Sequence, residues 1–325
     1  MRILTMKNNP WDEIEDSTNK IDFNAIIADK ESILDFYWAK DSYGHLLFVL
    51  HTNSDIIINE KIPNLNGLTI NVGSLKEKKQ LVLTLQDISN ADLFYIICSD
   101  LMNTTKQLND ELIAIKKILK RLSQWQYFLK NNNKQIDKNQ LKGLIGELHL
   151  FKKLLTNFSI DEVLNFWKAP LGSVHDFEFL NSTLEVKTKS SVNSITISSF
   201  EQMFSELDNL FLFVVTLNES SKTSLDSFNI YDLIFDIKKL INIDDIDSCE
   251  RLDNLLFAYG FIELEEYKEL YFSIIHDEIY HVRDDFPRII SKPNGIVDLT
   301  YKINLEKCKD YIVVDIIEKI RGKLK

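Results

Sequence analysis

Hydrophobic and polar residues alternate along much of the first hundred residues of the chain, and this alternation predicts β-strands. A strand points successive side chains to opposite faces, so every second residue of such a run reaches the core. Polar turns containing glycine separate these runs at residues 42–44 and 65–67. The four runs are FYWAKD, HLLFVLHT, LTINVG and KQLVLTLQD. We therefore predict an antiparallel, β-rich domain over residues 1–103, with a role in recognition or in support of the rest of the chain.

Beyond residue 103 the apolar period changes to about 3.6 residues, which predicts helices. The first helix spans 104–130, and its Trp125 and Phe128 are expected to be core anchors rather than base-stacking residues. A polar run at 131–134 follows as a loop, so we place a helical connector and the domain boundary over 104–135. The stripe of the first helix consists of Leu108, Leu112, Ile115, Leu119, Leu122 and Gln126.

The second helix spans about 138–155 and contains an acid at the edge of its apolar stripe. This acid is Glu147, which lies beside Leu144 on the predicted helix surface. Gly143 and Gly146 lower helix propensity by about 1 kcal/mol each relative to alanine, so we expect another backbone to pack closely against them. The position of Glu147 fits both an ordinary boundary carboxylate and an acid of a functional site.

Residues 173–189, SVHDFEFLNSTLEVKTK, contain two short alternating runs joined by a polar turn, which predicts a hairpin. Glu185 and Lys187 share a face of the second strand because residues two apart point the same way. Folding of the hairpin can bring Asp176 from the first strand to the same place. Two carboxylates and an ammonium group on a sheet with an apolar back predict a site for a hard divalent cation beside a positive charge.

The segments that follow the hairpin complete the order helix, three strands, helix and strand. SITIS (194–198) predicts a third strand, and FLFVVTL (211–217) is a continuous apolar run typical of a buried strand. Between them, Ser199 and Gln202 have the spacing of a capping box, which predicts a short helix to about Leu207. A role in the site is the alternative interpretation of Gln202.

From residue 218 onward the chain is acidic and mainly helical. Helices are predicted at 229–241 and 249–260, and a strand-rich stretch follows at 267–285 with a turn near Asp277. Taken together, the patterns predict an α/β fold of the α+β kind.

Neither of two histidine groups predicts a metal site. His45 and His51 are six residues apart, which does not place two ligands on one face of a helix. His276 and His281 lie close to Asp277 in sequence, but solvent-facing hairpin residues explain that group better than metal ligands do.

The distribution of charge changes the expectation about partners. The net charge of −11 by itself disfavours a nucleic-acid partner. Between residues 106 and 153, however, there are 11 Lys and Arg against 4 Asp and Glu, a local net of +7 that leaves −18 elsewhere. This predicts a face that meets phosphates, although solvated lysine-rich helices would give the same count. The predicted nucleic-acid-binding residues are Lys116, Lys117, Lys120, Arg121, Lys142 and Lys189.

The composition predicts a packed protein in a reducing compartment. Hydrophobic residues make up 45% of the chain, and 20 residues are Phe. No apolar run is long enough to cross a bilayer and the first residues lack a signal-peptide pattern, so we expect a cytoplasmic protein without a membrane partner. Cys98, Cys249 and Cys308 fit neither a disulfide framework nor zinc-ligand spacing.

The spacing of Asp176, Glu185 and Lys187 is the D…(D/E)-X-K pattern of Mg²⁺-dependent phosphodiester hydrolysis. A divalent ion lowers the pKa of water, and the lysine can orient the attacking water or stabilise developing negative charge. A similar spacing ends at Asp236 and Lys238, but in a helical run where residues two apart point away from each other. A salt-bridged surface hairpin without catalytic function is the alternative.

Four stretches between residues 143 and 202 resemble a bacterial family described as putative PD-(D/E)XK motif proteins. They are GLIGELHLFKKLL, FWKAPLGSVHDFEF, LEVKTKSS and ISSFEQM. The resemblance implies the restriction-endonuclease-like fold of the PD-(D/E)XK nuclease superfamily, with its α-β-β-β-α-β core. That core would lie in a nuclease-like domain at 136–325 with a mainly helical C-terminal extension.

The resemblance also implies a role for individual residues. It makes Glu147 the helix acid, Asp176 and Glu185 the metal ligands, Lys187 the catalytic lysine, and Gln202 a glutamine near the phosphate or the metal. The implied cofactor is Mg²⁺, with Mn²⁺ able to substitute. His175 stands where the superfamily has proline, and a catalytic-base role for it is disfavoured because a strand points it away from Asp176.

The function implied is that of a Mg²⁺-dependent DNA endonuclease in a prokaryotic restriction or phage-defence system. The implied partners are DNA, a homodimer mate, and defence proteins such as a helicase, an ATPase or a methyltransferase. One alternative is a DNA-binding or scaffold subunit that keeps the fold without cleaving. Another is a nuclease that acts on RNA.

Overall fold

The alternating runs near the start of the chain are strands of one antiparallel sheet, as their pattern predicts. The computed structural model describes residues 9–20, 22–53, 62–75, 78–106, 108–130, 136–242 and 245–314, together with residues 317 and 320. The chain divides into two units, Met1–Asn133 and Lys134–Lys325. The strands of the first unit are β1 (Phe23–Asp29), β2 (Asp35–Asp41), β3 (Leu46–Thr52), β4 (Leu68–Leu75) and β5 (Lys78–Leu85), in the spatial order β1-β2-β3-β5-β4. The four predicted strands are β2 to β5, and β1 was not predicted.

Two helices follow this sheet, α1 (Ala91–Thr105) and α2 (Glu111–Lys130). The prediction of one helix starting at residue 104 is therefore wrong at its start, and α1 lies in a stretch predicted as β structure. The Asp110 carboxylate accepts a hydrogen bond from the backbone N–H of Ile113, which caps α2 at its observed start. Trp125 is fully buried, so its prediction as a core anchor is confirmed. The side chain of Phe128 and the predicted loop at 131–134 lie outside the described residues.

The second unit begins with the predicted helix 138–155, observed as α3 (Lys138–Leu154). Asp137 and Gln140 form a capping box at its start. The elements after it are α4 (Ile160–Phe166), β6 (Phe177–Glu178), β7 (Ser182–Lys189), β8 (Ser194–Ile197), β9 (Asn209–Ser220), α5 (Ile230–Ile241), α6 (Ile246–Tyr259), α7 (Glu265–Lys268), β10 (Tyr271–His281) and β11 (Tyr301–Asn304). The mixed α/β fold class expected from the sequence is confirmed, and both predicted helices after residue 218 are present as α5 and α6.

The central sheet of this unit has the order β10-β9-β7-β6. Strands β7 and β9 are parallel, and the other neighbouring strands are antiparallel. The predicted third strand, β8, pairs with β11 in a separate two-stranded sheet. One face of β9 packs with β8 and β11 through a core that includes Leu212 and Val214. The opposite face carries Phe211 and Phe213, which are fully buried.

Two local predictions in this unit are wrong. The capping box at Ser199 and the helix to residue 207 do not form; a single 3-10 turn, Glu201–Met203, has no side-chain cap. Gln202 instead accepts a hydrogen bond from the backbone N–H of Ser198. The turn near Asp277 is also absent, because β10 runs unbroken except for a bulge between Ile274 and His276. Among the described residues, no helix is both long and apolar enough to cross a lipid bilayer.

Candidate active site

Strand β7 carries an acid and a lysine on the same face. The parallel pairing places Glu185 opposite Leu212 and Lys187 opposite Val214, on the side of the sheet that faces β8 and β11. The Lys187 ammonium donates to Glu185 Oε1 at 2.5 Å. Glu185 is 1% exposed, so this is a buried carboxylate rather than one member of a surface salt bridge.

Val186, between these two residues, points to the opposite side and contacts α3. A Cβ on Gly146 would lie 3.2 Å from Val186 Cγ1 and 2.6 Å from Thr188 Cγ2. The close approach expected at the glycines of α3 is therefore found at Gly146, where it is made by strand side chains. Gly143 is more open, since a Cβ there would lie 3.6 Å from the Tyr259 hydroxyl.

Asp176 is brought beside β7 by hydrogen bonds from backbone groups. Its carbonyl oxygen accepts from the N–H groups of Lys168 and Ala169, which fixes the loop before β6. Its carboxylate Oδ2 accepts from the N–H of Val186 at 2.7 Å. The structure therefore places Asp176 next to the peptide that joins Glu185 to Lys187.

Glu147 of α3 is 4% exposed and lies with these residues at the cleft described below. The indole N–H of Trp167 donates to Glu147 Oε2 at 2.7 Å, and the hydroxyl of Tyr259 donates to Oε1 at 2.8 Å. Sequence reasoning missed both donors. Trp167 lies within a stretch that was singled out for its resemblance, but Tyr259 is 112 residues from Glu147 and no local pattern links them.

Gln202 lies against the lysine. Its Oε1 accepts from Lys187 at 3.2 Å as well as from the backbone of Ser198 at 2.9 Å. The amide thus fixes one side of the ammonium group, and the Glu185 carboxylate fixes the other. Of the two interpretations that the sequence left open for Gln202, the geometry favours placement in the site.

Burial raises the pKa of all three carboxyl groups. Burial, with the charge of Asp176 adding to it, raises the pKa of Glu185 to about 8 although Lys187 opposes the shift. Burial raises the pKa of Asp176 to about 6, against the lowering effect of Lys187 and of the Val186 N–H. Burial and the charge of Asp176 raise the pKa of Glu147 well above its ordinary value. Three carboxyl groups that share one lysine have an excess of negative charge when ionised.

The donor atoms fit a hard divalent cation. Glu185 Oε2 is buried and accepts no hydrogen bond from the described part of the chain, so it is an acceptor without a donor. No group of three or more His, Cys, Asp or Glu side chains with metal-binding geometry occurs among the described residues. Mg²⁺ is commonly held by one or two carboxylates, with water and phosphate oxygens completing its shell. Asp176 and Glu185 supply that number.

These residues line an open cleft of about 780 Å³. Its acidic centre is formed by Glu147, Asp176 and Glu185, and its wall also contains the side chains of Lys187, Gln202 and Tyr259. Lys142, Lys189 and Lys302 add positive charge to the wall. Lys142 is paired with Glu219 at 2.8 Å. Lys302 comes from β11, and sequence reasoning missed it because only the pairing of β11 with β8 brings it to the cleft.

The other predicted nucleic-acid-binding residues belong to α2 in the first unit. Lys116 and Lys120 are exposed and Lys117 is half-buried. Arg121 is largely buried and donates two hydrogen bonds of 2.7 Å to Asp100, so its guanidinium is part of an internal ion pair. We therefore leave Arg121 out of the surface proposed for phosphates.

Neither His175 nor the residues around Asp277 add to the site. His175 is buried, lies outside the cleft lining, and burial lowers its pKa. Asp277 accepts from His149 at 2.8 Å and from Lys153 at 2.6 Å. These partners account for its carboxylate without a metal ion.

One family profile matches most of the chain. The sequence profile of a family described as "Putative PD-(D/E)XK family member (DUF4420)" matches residues 7–306 of the chain. No curated protein and no solved structure matches the chain significantly. The matched residues include all of those that line the cleft.

Proposed function

The chain belongs to this PD-(D/E)XK family, and from that premise we propose that it is a Mg²⁺-dependent DNA endonuclease. The observation that carries the proposal is the buried Oε2 of Glu185, which has no hydrogen-bond donor among the described residues while Oε1 of the same carboxylate accepts from Lys187. A carboxylate in that condition is stabilised by a cation, and the neighbouring Asp176 supplies a second oxygen ligand. Asp176 and Glu185 are the residues that would hold the ion.

A bound Mg²⁺ ion would lower the pKa of water in the cleft and offset negative charge on the phosphate. The protein's own contribution is orientation. The N–H of Val186 fixes Asp176, and the buried strand β7 fixes Glu185, so neither carboxylate needs to reorganise during the reaction.

Lys187 has the geometry of an orienting and charge-stabilising group. Its ammonium has three donors, and Glu185 and Gln202 accept from two of them. No acceptor for the remaining donor is found in the described part of the chain, so it can bond a water molecule or a phosphate oxygen in the cleft that Lys187 lines. A fixed ammonium beside the phosphate stabilises negative charge that develops in the transition state.

The lysines of the wall support a polyanionic substrate. Lys142, Lys189 and Lys302 lie on three different elements around the acidic centre, so a strand of nucleic acid can contact them on both sides of the cleaved bond. Replacing Lys302 with Gln should weaken DNA binding a few-fold and reduce the slope of log affinity against log salt by about 1. Lys307→Gln is the matched control, because Lys307 is exposed on the segment after β11 and does not line the cleft.

The experiment that tests the proposal is cleavage of plasmid DNA by the full chain with Mg²⁺ and with Mn²⁺. Wild type should nick or linearise the plasmid, and Lys187→Met, Glu185→Ala and Asp176→Ala should not. Lys238→Met is the control, because Lys238 forms an ion pair of 2.6 Å with Asp253 outside the cleft. Equal behaviour of wild type and Lys187→Met on every DNA tested would refute the nuclease proposal.

Two other results would redirect it. Salt-dependent DNA binding without cleavage by wild type would favour the non-cleaving DNA-binding or scaffold subunit. Cleavage of RNA but not of DNA would keep the chemistry and change the substrate.

The motifs between 143 and 202 extend the proposal to a cellular role. Their resemblance to proteins linked with restriction and phage defence supports a cytoplasmic nuclease that works as a homodimer or with a helicase, an ATPase or a methyltransferase. Affinity purification of the chain from its host during phage infection tests this role. We expect a defence protein of one of these kinds to be recovered with wild type. If none is recovered, the proposed defence role would be contradicted.

A further inference from the structure

One hydroxyl in the cleft belongs to a residue that neither the sequence motif nor the proposed chemistry uses. Tyr259 is the last residue of α6, and Gly260 ends the helix with a positive φ of 106°. The N–H of Gly260 donates to the carbonyl oxygens of Leu256 and Phe257, so the helix end is closed at that point. This ending sets where the side chain of Tyr259 lies.

The ring of Tyr259 is held by contacts with the core. It stacks on Trp167, with ring centroids 6.2 Å apart and planes 28° apart. Trp167 is fully buried and its backbone pairs with Phe177 of β6. The tyrosine is therefore anchored on the same segment that positions Asp176, while its hydroxyl reaches the cleft.

The two donors of Glu147 differ in their exposure to that cleft. The Trp167 indole is buried and holds Oε2 from the core side. The Tyr259 hydroxyl lines the cleft and holds Oε1. Two donors on two different oxygens fix the plane of a carboxylate as well as its position, whereas one donor leaves it free to rotate.

The Tyr259 hydroxyl donates to Glu147 and lines the same cleft as Asp176 and Glu185. Burial, followed by the charges of Glu147, Asp176 and Glu185, raises the pKa of Tyr259 well above its ordinary value. The group is therefore protonated and able to donate. Gly143 faces the hydroxyl without a side chain, at a distance where a Cβ would be 3.6 Å away, so nothing larger than hydrogen covers it there.

From this arrangement we propose that Tyr259 is a positioning residue, which holds the Glu147 carboxylate beside Asp176 and Glu185 in the orientation that binding of a divalent cation requires. The inference rests on the proposed function for the identity of the cation, but it concerns binding and not cleavage. It predicts that a single hydroxyl from the C-terminal part of the chain controls the affinity of a site whose ligands are on β7 and before β6.

The test is the affinity of the metal-free full chain for Mn²⁺, measured by titration calorimetry. Tyr259→Phe removes the hydroxyl and keeps the stacking ring, and it should weaken Mn²⁺ binding roughly tenfold, as expected for losing one hydrogen bond to a charged group. Tyr267→Phe is the matched control, because its hydroxyl also makes a buried hydrogen bond, to the carbonyl oxygen of Ile136, but does not line the cleft. That variant should bind Mn²⁺ as wild type does.

A double-mutant cycle shows whether Tyr259 acts through Glu147. Glu147→Gln should weaken Mn²⁺ binding, and adding Tyr259→Phe to it should cause no further loss. Additive losses in the cycle would overturn the inference. It would also be overturned if Tyr259→Phe bound Mn²⁺ as tightly as wild type, or lost no more affinity than Tyr267→Phe does. Cleavage of DNA by a wild type that takes up no Mn²⁺ would overturn this inference and leave the nuclease proposal standing. If the Mn²⁺ affinities were as expected but no nucleic acid were cleaved, the nuclease proposal would fail and this inference would stand.

Discussion

Two buried clusters of charge in this protein are built from similar parts and differ in balance. In the first unit, Asp100 accepts two hydrogen bonds from Arg121 and one from the indole of Trp125, each of 2.7 Å. In the second unit, Glu147 accepts from an indole and a hydroxyl, and Glu185 accepts from Lys187. Each cluster therefore combines a carboxylate with a tryptophan N–H and a basic side chain.

The difference lies in the count of charges and donors. Asp100 is matched by one guanidinium, and both of its oxygens accept hydrogen bonds. The acidic centre of the cleft has three carboxyl groups, of which only Glu185 is bonded to an ammonium group among the described residues, and Glu185 Oε2 accepts nothing from those residues. A balanced buried pair is part of the structure, whereas an unbalanced group beside a cleft requires protons or a cation.

The largest expected effect separates the clusters by activity. Glu185→Gln keeps the shape of the side chain but removes its charge, so it should lower the rate of Mg²⁺-dependent DNA cleavage on the order of 10³-fold. At temperatures where it is folded, Asp100→Asn should cleave DNA at the wild-type rate, because Asp100 does not line the cleft. Rates of plasmid relaxation measure both. A loss of cleavage in folded Asp100→Asn would break the distinction.

In stability the order of the two variants should be reversed, with the larger effect in Asp100→Asn. Asp100→Asn removes the charge that accepts two hydrogen bonds from Arg121 and should lower the free energy of unfolding by about 3 kcal/mol. Glu185→Gln relieves repulsion from Asp176 but also removes the charge paired with Lys187, so without divalent ions the two effects offset and that free energy should change by less than about 1 kcal/mol. Urea unfolding with a chelator present tests this. Equal destabilisation of the two variants would contradict it.

The cleft cluster also depends on close packing between α3 and β7, and two glycines sharpen this point. Gly146→Ala would place a Cβ 2.6 Å from Thr188 Cγ2, so it should cost about 1–3 kcal/mol and shift the strand that carries Glu185. Gly143→Ala meets only an ordinary contact at 3.6 Å, and it should stabilise the helix by up to about 1 kcal/mol. Thermal unfolding of the two variants measures the difference. Stabilisation by both substitutions, or destabilisation by both, would contradict the prediction.

The last expected effect is a pH dependence of stability that arises from the acids of the cleft. The folded pKa of Glu185 is raised from an ordinary 4.5 to about 8, so the stability that this group contributes is fully present below pH 4.5. It is lost as pH rises to 8, and metal-free wild type should become easier to unfold over that window. Urea midpoints at pH 5.5, 7 and 8.5 measure the trend, which should be smaller in the control Glu185→Gln, where Asp176 and Glu147 alone of these three acids still contribute to it. Added Mn²⁺ should restore stability at pH 8.5 by binding the folded state.

Much of the fold was predictable because local patterns agreed with the final packing. Strands β2 to β5 are short runs rich in apolar residues between polar turns, and α3 shows both its apolar stripe and its position before the hairpin. The helix α1 shows where local reading failed. Its Phe94, Ile97, Cys98 and Leu101 have helical spacing and are buried, but they directly follow a run of strands that dominated the interpretation.

By itself, the sequence determined which residues form the acidic and basic pair on β7, since strand geometry puts residues two apart on one face. It also predicted that a hairpin brings Asp176 to that pair, but it placed Asp176 on the first strand, whereas the structure has it just before β6. Tertiary structure decided the rest. Only the pairing of β7 with β9 buries Glu185, only the end of α6 brings Tyr259 to Glu147, and only β11 brings Lys302 to the cleft. These contacts join residues far apart in the chain, and no periodic pattern encodes a contact between elements that local geometry does not connect.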